Sequence, residues 1–155
     1  RKRHAMSSSK ILLILSLILL GMGTMTIYKP RGIRNNNPGN LEDNGTAWQG
    51  RVGNDGRFVI FDRPENGIRA LARTLKTYRN RHGLTTVRGI INRWAPPVEN
   101  DTTAYVNHVA GALGVTPDTS LSEAETMDMV PLIIRHENGM QPYSDRVLKA
   151  GIQAA

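Results

Sequence analysis

Residues 11–28 read ILLILSLILLGMGTMTIY, 18 positions without a charged side chain. As a helix at about 1.5 Å per residue they reach roughly 27 Å, close to a hydrocarbon core of about 30 Å. The run therefore divides the chain. It is expected to form a transmembrane or signal helix, which leaves residues 29–155 to build a core in water. Arg1, Lys2, Arg3 and Lys10 precede it, so the positive-inside rule keeps the first residues in the cytoplasm and carries Lys29 onward across the membrane. Gly21-Met-Gly23 offers the small residues of a cleavage site, so a cleaved signal competes with an uncleaved signal anchor.

The same division explains most of the charge. The chain has 20 Lys and Arg against 13 Asp and Glu, a formal +7. Four of the basic residues and none of the acidic ones fall in residues 1–28, leaving 16 against 13 in residues 29–155. A surplus of three with no DNA-binding motif argues against a nucleic-acid partner. The absence of cysteine removes thiol catalysis, Cys-based zinc sites and a disulfide framework.

Residues 29–155 are expected to form one domain. KPRGIRNNNPGN over 29–40 has no apolar period and reads as an ordered loop or linker. Trp48–Val52 and Arg57–Phe61 read as two strands around Gly53-Asn54-Asp55-Gly56, a tight-turn composition. From Pro64 the period becomes helical, with Ile68, Leu71, Ala72, Leu75 and Tyr78 on one face and a stop at Gly83. Further helices are predicted from Thr86 to Pro96, from Asp101 to Gly114 and from about Ser144 to Ala150. Another opens on the capping box Ser122-Glu-Ala-Glu125, is interrupted or restarted at Pro131 and ends at Gly139. The expected class is α+β, mostly helical with a small β-hairpin.

Glu137 is the residue that points to chemistry. Val130, Ile133, Ile134 and Glu137 stand at i, i+3, i+4 and i+7, which puts a carboxyl in the apolar stripe of the helix's last turn. Desolvation and the negative end of the helix dipole both favour its protonated form, and a glycosidic leaving oxygen needs such a general acid. Asn138-Gly139 gives a tight stop, and Gln141, Tyr143 and Ser144 set polar and aromatic groups beside the carboxyl.

Ile133-Ile-Arg-His-Glu-Asn-Gly139 followed by Tyr143-Ser144 resembles the catalytic helix of lysozyme-superfamily peptidoglycan hydrolases. Asn37-Pro-Gly-Asn-Leu41, Trp48, Phe58–Phe61 and Gly67-Ile-Arg-Ala70 are similar to the stretch that follows the glutamate in bacterial glucosaminidases of the flagellar and autolysin type. Trp94 to Tyr105, with Glu99-Asn-Asp101, is similar to their tyrosine-bearing segment. In those families the glutamate helix comes first, whereas here it comes last, and a circular permutation would reconcile the two orders. The exported region also resembles small phage and prophage proteins that carry RGIRNNNPGN and RWAPPxENDT, found here over 31–40 and 93–102 and associated with virion structure.

These resemblances imply a lysozyme-like domain that cleaves the β-1,4 glycosidic bond of peptidoglycan with Glu137 as general acid. The implied setting is phage entry or host lysis, located at the inner membrane facing the periplasm or in the virion. Other virion proteins are then further partners. Resemblance to lytic transglycosylases also implies a one-glutamate route, in which the same group takes the C6 hydroxyl proton and leaves a 1,6-anhydro sugar. The rival from another class is a non-catalytic virion or wall-binding protein of the same shape.

Asn37 and Asn40 are candidates to bind N-acetyl and hydroxyl groups through amides that both donate and accept, although Asn35, Asn36, Asn37 and Asn40 equally suit turn geometry. Trp48, Trp94, Tyr105 and Tyr143 are candidate stacking platforms for sugar, with Gln141 as a polar contact. Trp94 and Tyr105 also lie on apolar faces, where a core role is the plainer reading. A second carboxylate, where the mechanism uses one, is sought in Glu99 or Asp62, since Asp55 suits a turn and Asp101 a cap. His82, His108 and His136 lack metal-ligand spacing, and no phosphate loop or nucleophile elbow is present, so no metal or cofactor is expected. Arg69, Arg73, Lys76, Arg79 and Arg81 make one helix face basic, a solvated face or one for anionic wall polymer.

Overall fold

The computed structural model describes residues 28–97 and 101–155. The expected membrane segment, apart from Tyr28, and the candidate Glu99 lie outside them. Among the described residues no helix is long and apolar enough to cross a membrane. The elements run α1 (Arg31–Arg34), β1 (Arg51–Asn54), β2 (Val59–Phe61), α2 (Pro64–His82), α3 (Val87–Trp94), α4 (Thr102–Leu113), α5 (Glu123–Asn138) and α6 (Asp145–Gln153). The domain is α+β, mostly helical with one two-stranded antiparallel sheet.

The helices begin and end where local chemistry dictates. Thr86, Asp101, Ser122 and Ser144 each accept an N-terminal backbone N–H, and Ser122 and Glu125 form a complete capping box. Gly83, Gly114 and Gly139 close α2, α4 and α5 in the left-handed conformation. α5 runs unbroken through Pro131 instead of restarting there. Pro131 forfeits one backbone bond, but buried Met127, Val130, Ile133 and Ile134 hold the turns on either side.

Ile68, Leu71 and Leu75 of α2, Val87, Ile90 and Ile91 of α3, Tyr105, Val106 and Val109 of α4, and Val130, Ile133 and Ile134 of α5 share one core. α6 lies along α2, where Gly151 lets its backbone approach Ile68. Part of the basic face of α2 is used in this packing rather than solvated. Arg69 donates to the Ala154 carbonyl at 2.8 Å, and Arg79 to the Leu121 carbonyl at 2.6 Å.

A second cluster of Val59, Phe61 and Ala70, with Leu41 and Trp48 against it, supports the sheet. The strands are shorter and later than the sequence predicts. Gly50, at φ 76°, turns the chain just after Trp48, and a bulge at Val52 separates the pairs Arg51–Phe61 and Gly53–Ile60.

Residues 29–40 do not form a linker. α1 and the asparagine run pack onto the free edge of β2. Phe61 N–H donates to the Asn35 carbonyl at 2.9 Å, and Val59 N–H to the Leu41 carbonyl at 3.0 Å. Asn36 and Asn40 take positive φ values of 50° and 49°, the turn role of asparagine.

Asp55 clips this layer to the hairpin. It accepts from Arg31 at 2.6 and 2.8 Å, from Asn35 at 2.6 Å and from Phe58 N–H at 2.9 Å. Its bond to Arg31, followed by the bond from Phe58 N–H, holds the carboxyl far below the usual carboxylate range. Asp43, bonded to Arg51 and Asn54, is lowered to about 2. Both folded-state values lie below the unfolded value of about 3.9, so the stability they add is present above about pH 4 and fades as pH falls toward 2 and below. The melting temperature is therefore expected to drop between pH 5 and pH 2.5. Asp55→Asn should lower it at pH 5 and shrink that drop; an unchanged drop in the variant would remove Asp55 as its source.

Candidate active site

Glu137 occupies the last turn of α5, half-buried directly above Ile133 and Ile134. Its Oε1 accepts the indole N–H of Trp94 at 2.9 Å and the hydroxyl of Tyr105 at 3.1 Å. Three helices thus meet at one carboxylate oxygen: α3 through Trp94, α4 through Tyr105 and α5 itself. Indole N–H only donates, so both bonds occupy acceptor positions on Oε1. Among the described residues Oε2 carries no bond and is the oxygen left to hold or exchange a proton. Burial drives the Tyr105 hydroxyl well above the usual tyrosine range, with the Glu137 charge adding to the effect, so Tyr105 remains a donor.

The carboxyl lines a cleft of about 430 Å³. Its lining comes from the helical part through Tyr78, Trp94, Ala95, Pro96 and Glu137, and from the loop and hairpin through Asn40, Leu41, Glu42, Arg57 and Phe58. Asn138, the residue after Glu137, is buried and donates to the Pro38 carbonyl at 2.7 Å and the Ile134 carbonyl at 2.9 Å. The helix that carries the carboxyl is thereby fastened to the loop that carries Asn40, Leu41 and Glu42.

The structure brings together Glu137, Trp94, Tyr105 and Asn40 from the residues the sequence singled out. It places the others elsewhere. Asn37 is fully buried, and its amide bonds Leu41 twice and the Val59 carbonyl once, at 2.9 to 3.0 Å, so it shapes the loop and is not exposed to a ligand. Trp48 packs on the cluster behind the sheet. Gln141 is bonded at both ends to the Tyr143 backbone, at 3.0 and 2.7 Å. Tyr143 packs on the main core, and burial pushes its hydroxyl up to about 12. Asp62 accepts from Asn66 at 2.7 Å and is not in the cleft.

The second carboxylate at the cleft is Glu42, which the sequence reading did not single out. Arg57 grips it at 2.6 Å. Phe58 beside them has the guanidinium groups of Arg31 and Arg57 over its ring, 4.6 and 5.0 Å from the ring centre. Glu42 follows an irregular loop with no period, so no sequence signal marks it. Among the described residues no three His, Asp or Glu side chains are grouped to hold a metal ion.

Fold and site together define a mostly helical α+β domain with one helix-terminal carboxyl fixed by a tryptophan and a tyrosine at the edge of a cleft. No family model matches the chain. Protein P5 of Pseudoalteromonas phage PM2 is 41% identical to it over 128 residues, 79% of this chain and 80% of the relative. The chain belongs to the family of that phage protein, in keeping with the expected resemblance to phage proteins.

Proposed function

We propose that this domain is a lysozyme-like enzyme that cleaves the β-1,4 glycosidic bond of peptidoglycan with Glu137 as the general acid. The observation that carries the reading is the carboxyl itself, half-buried at a cleft with Oε1 fixed and, among the described residues, Oε2 without a bond. A proton on Oε2 passes to the glycosidic oxygen as the C1–O bond breaks, and the resulting carboxylate then takes a proton from water or from the sugar's C6 hydroxyl. Trp94 offers a ring edge to the sugar while its N–H holds the acid in place. The bond from Asn138 to the Pro38 carbonyl puts the Asn-Pro-Gly-Asn-Leu loop against the end of the glutamate helix. That adjacency supports the permuted relation to the glucosaminidases. The setting we propose is a phage particle or lysis system, with residues 11–28 holding the domain at the membrane.

One observation favours the non-catalytic rival, a virion or wall-binding protein of this shape: the two bonds to Oε1 also give Glu137 a structural task in joining three helices. Purified peptidoglycan incubated with the full chain and with Glu137→Gln separates the readings. Mass spectrometry of the released fragments is expected to show muropeptides from the unaltered protein only, and an anhydro or a hydrated end will name the second step. No release by the unaltered protein would favour the rival.

A further inference from the structure

Glu137 is positioned by Tyr105, and Tyr105 is in turn covered by a residue to which the sequence assigned no role. The imidazole of His136 lies face to face on the Tyr105 ring, with centroids 3.5 Å apart and planes inclined by 10°. Tyr105 is 2% exposed while His136 is exposed, so the imidazole is a layer between one face of the phenol and bulk water. His108, one turn beyond Tyr105 on α4, flanks the pair with its ring centre 5.9 Å from that of His136.

We propose that His136 is a positioning residue for the site, holding the Tyr105 ring so that its hydroxyl donates to Oε1 of Glu137 and Oε2 stays free for the proton. This rests on the glycosidase reading for its catalytic consequence, though not for its structural one. A flat ring suits the place: it covers the phenol with one face and meets water with the other. Partial desolvation of the stacked ring lowers the imidazole from its ordinary value; the Glu137 charge opposes this and nearby His108 adds to it. The stacked ring covers that face of the phenol. Without it, water reaches the Tyr105–Glu137 bond and competes for both groups.

The chain has two tryptophans, so two indole N–H resonances report on it, and that of Trp94 reads the position of Glu137 directly. The test compares the full chain in detergent with His136→Gln, which removes the ring, and His136→Phe, which keeps it; Trp48→Phe assigns the peaks. His136→Gln is expected to shift the Trp94 indole resonance and His136→Phe to leave it near its place. On peptidoglycan, His136→Gln should lose about 10-fold to 10²-fold in kcat with KM little changed, the scale of a displacement of about 1 Å at a catalytic group. His136→Phe should remain within about threefold of the unaltered protein, the scale of small context effects. An unmoved indole resonance in a folded His136→Gln protein, or equal loss in both variants, would overturn the proposal. Absence of peptidoglycan cleavage by the unaltered chain would sink the glycosidase reading, and the indole shift would still decide the role of His136.

Discussion

Glu137→Gln is expected to lose at least about 10²-fold in the rate of muropeptide release while the domain stays folded. The geometry makes this substitution informative. The glutamine carbonyl can still accept from Trp94 and Tyr105, while an NH₂ group replaces Oε2 and cannot supply the proton. Both bonds to the fixed oxygen are kept, and the replaced Oε2 carries no bond among the described residues, so stability should change by no more than about 1 kcal/mol. Glu137→Ala differs, because it leaves an indole N–H and a buried phenol without an acceptor. At about 1–3 kcal/mol for each orphaned group, it should destabilise by roughly 2–6 kcal/mol. Melting temperatures and fragment release for both variants check this. Full release by a stably folded Glu137→Gln protein would end the assignment of the acid.

The helices were legible because their caps and apolar periods agree, and Glu137 was legible because it interrupts a stripe that Val130, Ile133 and Ile134 continue. Trp94 and Tyr105 show the limit of that method. Periodicity reports where the body of a side chain is buried and is blind to the polar tip, so both rings read as core while their N–H and O–H reach the carboxyl. The asparagine run fails for a related reason. An amide that can bind an N-acetyl group is equally suited to bind backbone, and Asn37 turned inward because the loop over 35–42 needs its carbonyls and N–H groups satisfied. Glu42 reaches the cleft only through that folded loop, and Arg57 and Phe58 only through the hairpin that bridges to it. No local pattern could have placed them there.

Gly67→Ala is expected to destabilise the domain by about 2 kcal/mol or more, although alanine is the better helix former. Gly67 lies in the first turns of α2, where the asparagine loop crosses the helix, and a Cβ there would overlap the Asn36 carbonyl oxygen and press on Pro38 Cδ at 3.0 Å. The loop has little room to retreat: Asn36 is held at φ 50° with its amide bonded to the Phe61 carbonyl at 3.0 Å, and Asn37 is buried among three bonds. Helix propensity favours alanine by about 1 kcal/mol, while a forced overlap with backbone costs typically 1–3 kcal/mol and more where nothing yields. The clash therefore wins. Gly111→Ala provides the control, since that glycine lies exposed in α4 with no atom of the described residues within 4 Å of its absent Cβ, and the same propensity should raise stability by roughly 0.5–1 kcal/mol. Because the displaced loop carries Asn40, Leu41 and Glu42, Gly67→Ala should also slow peptidoglycan cleavage through a weaker KM. Thermal melts in which both variants rise together would show that the loop does not press on α2.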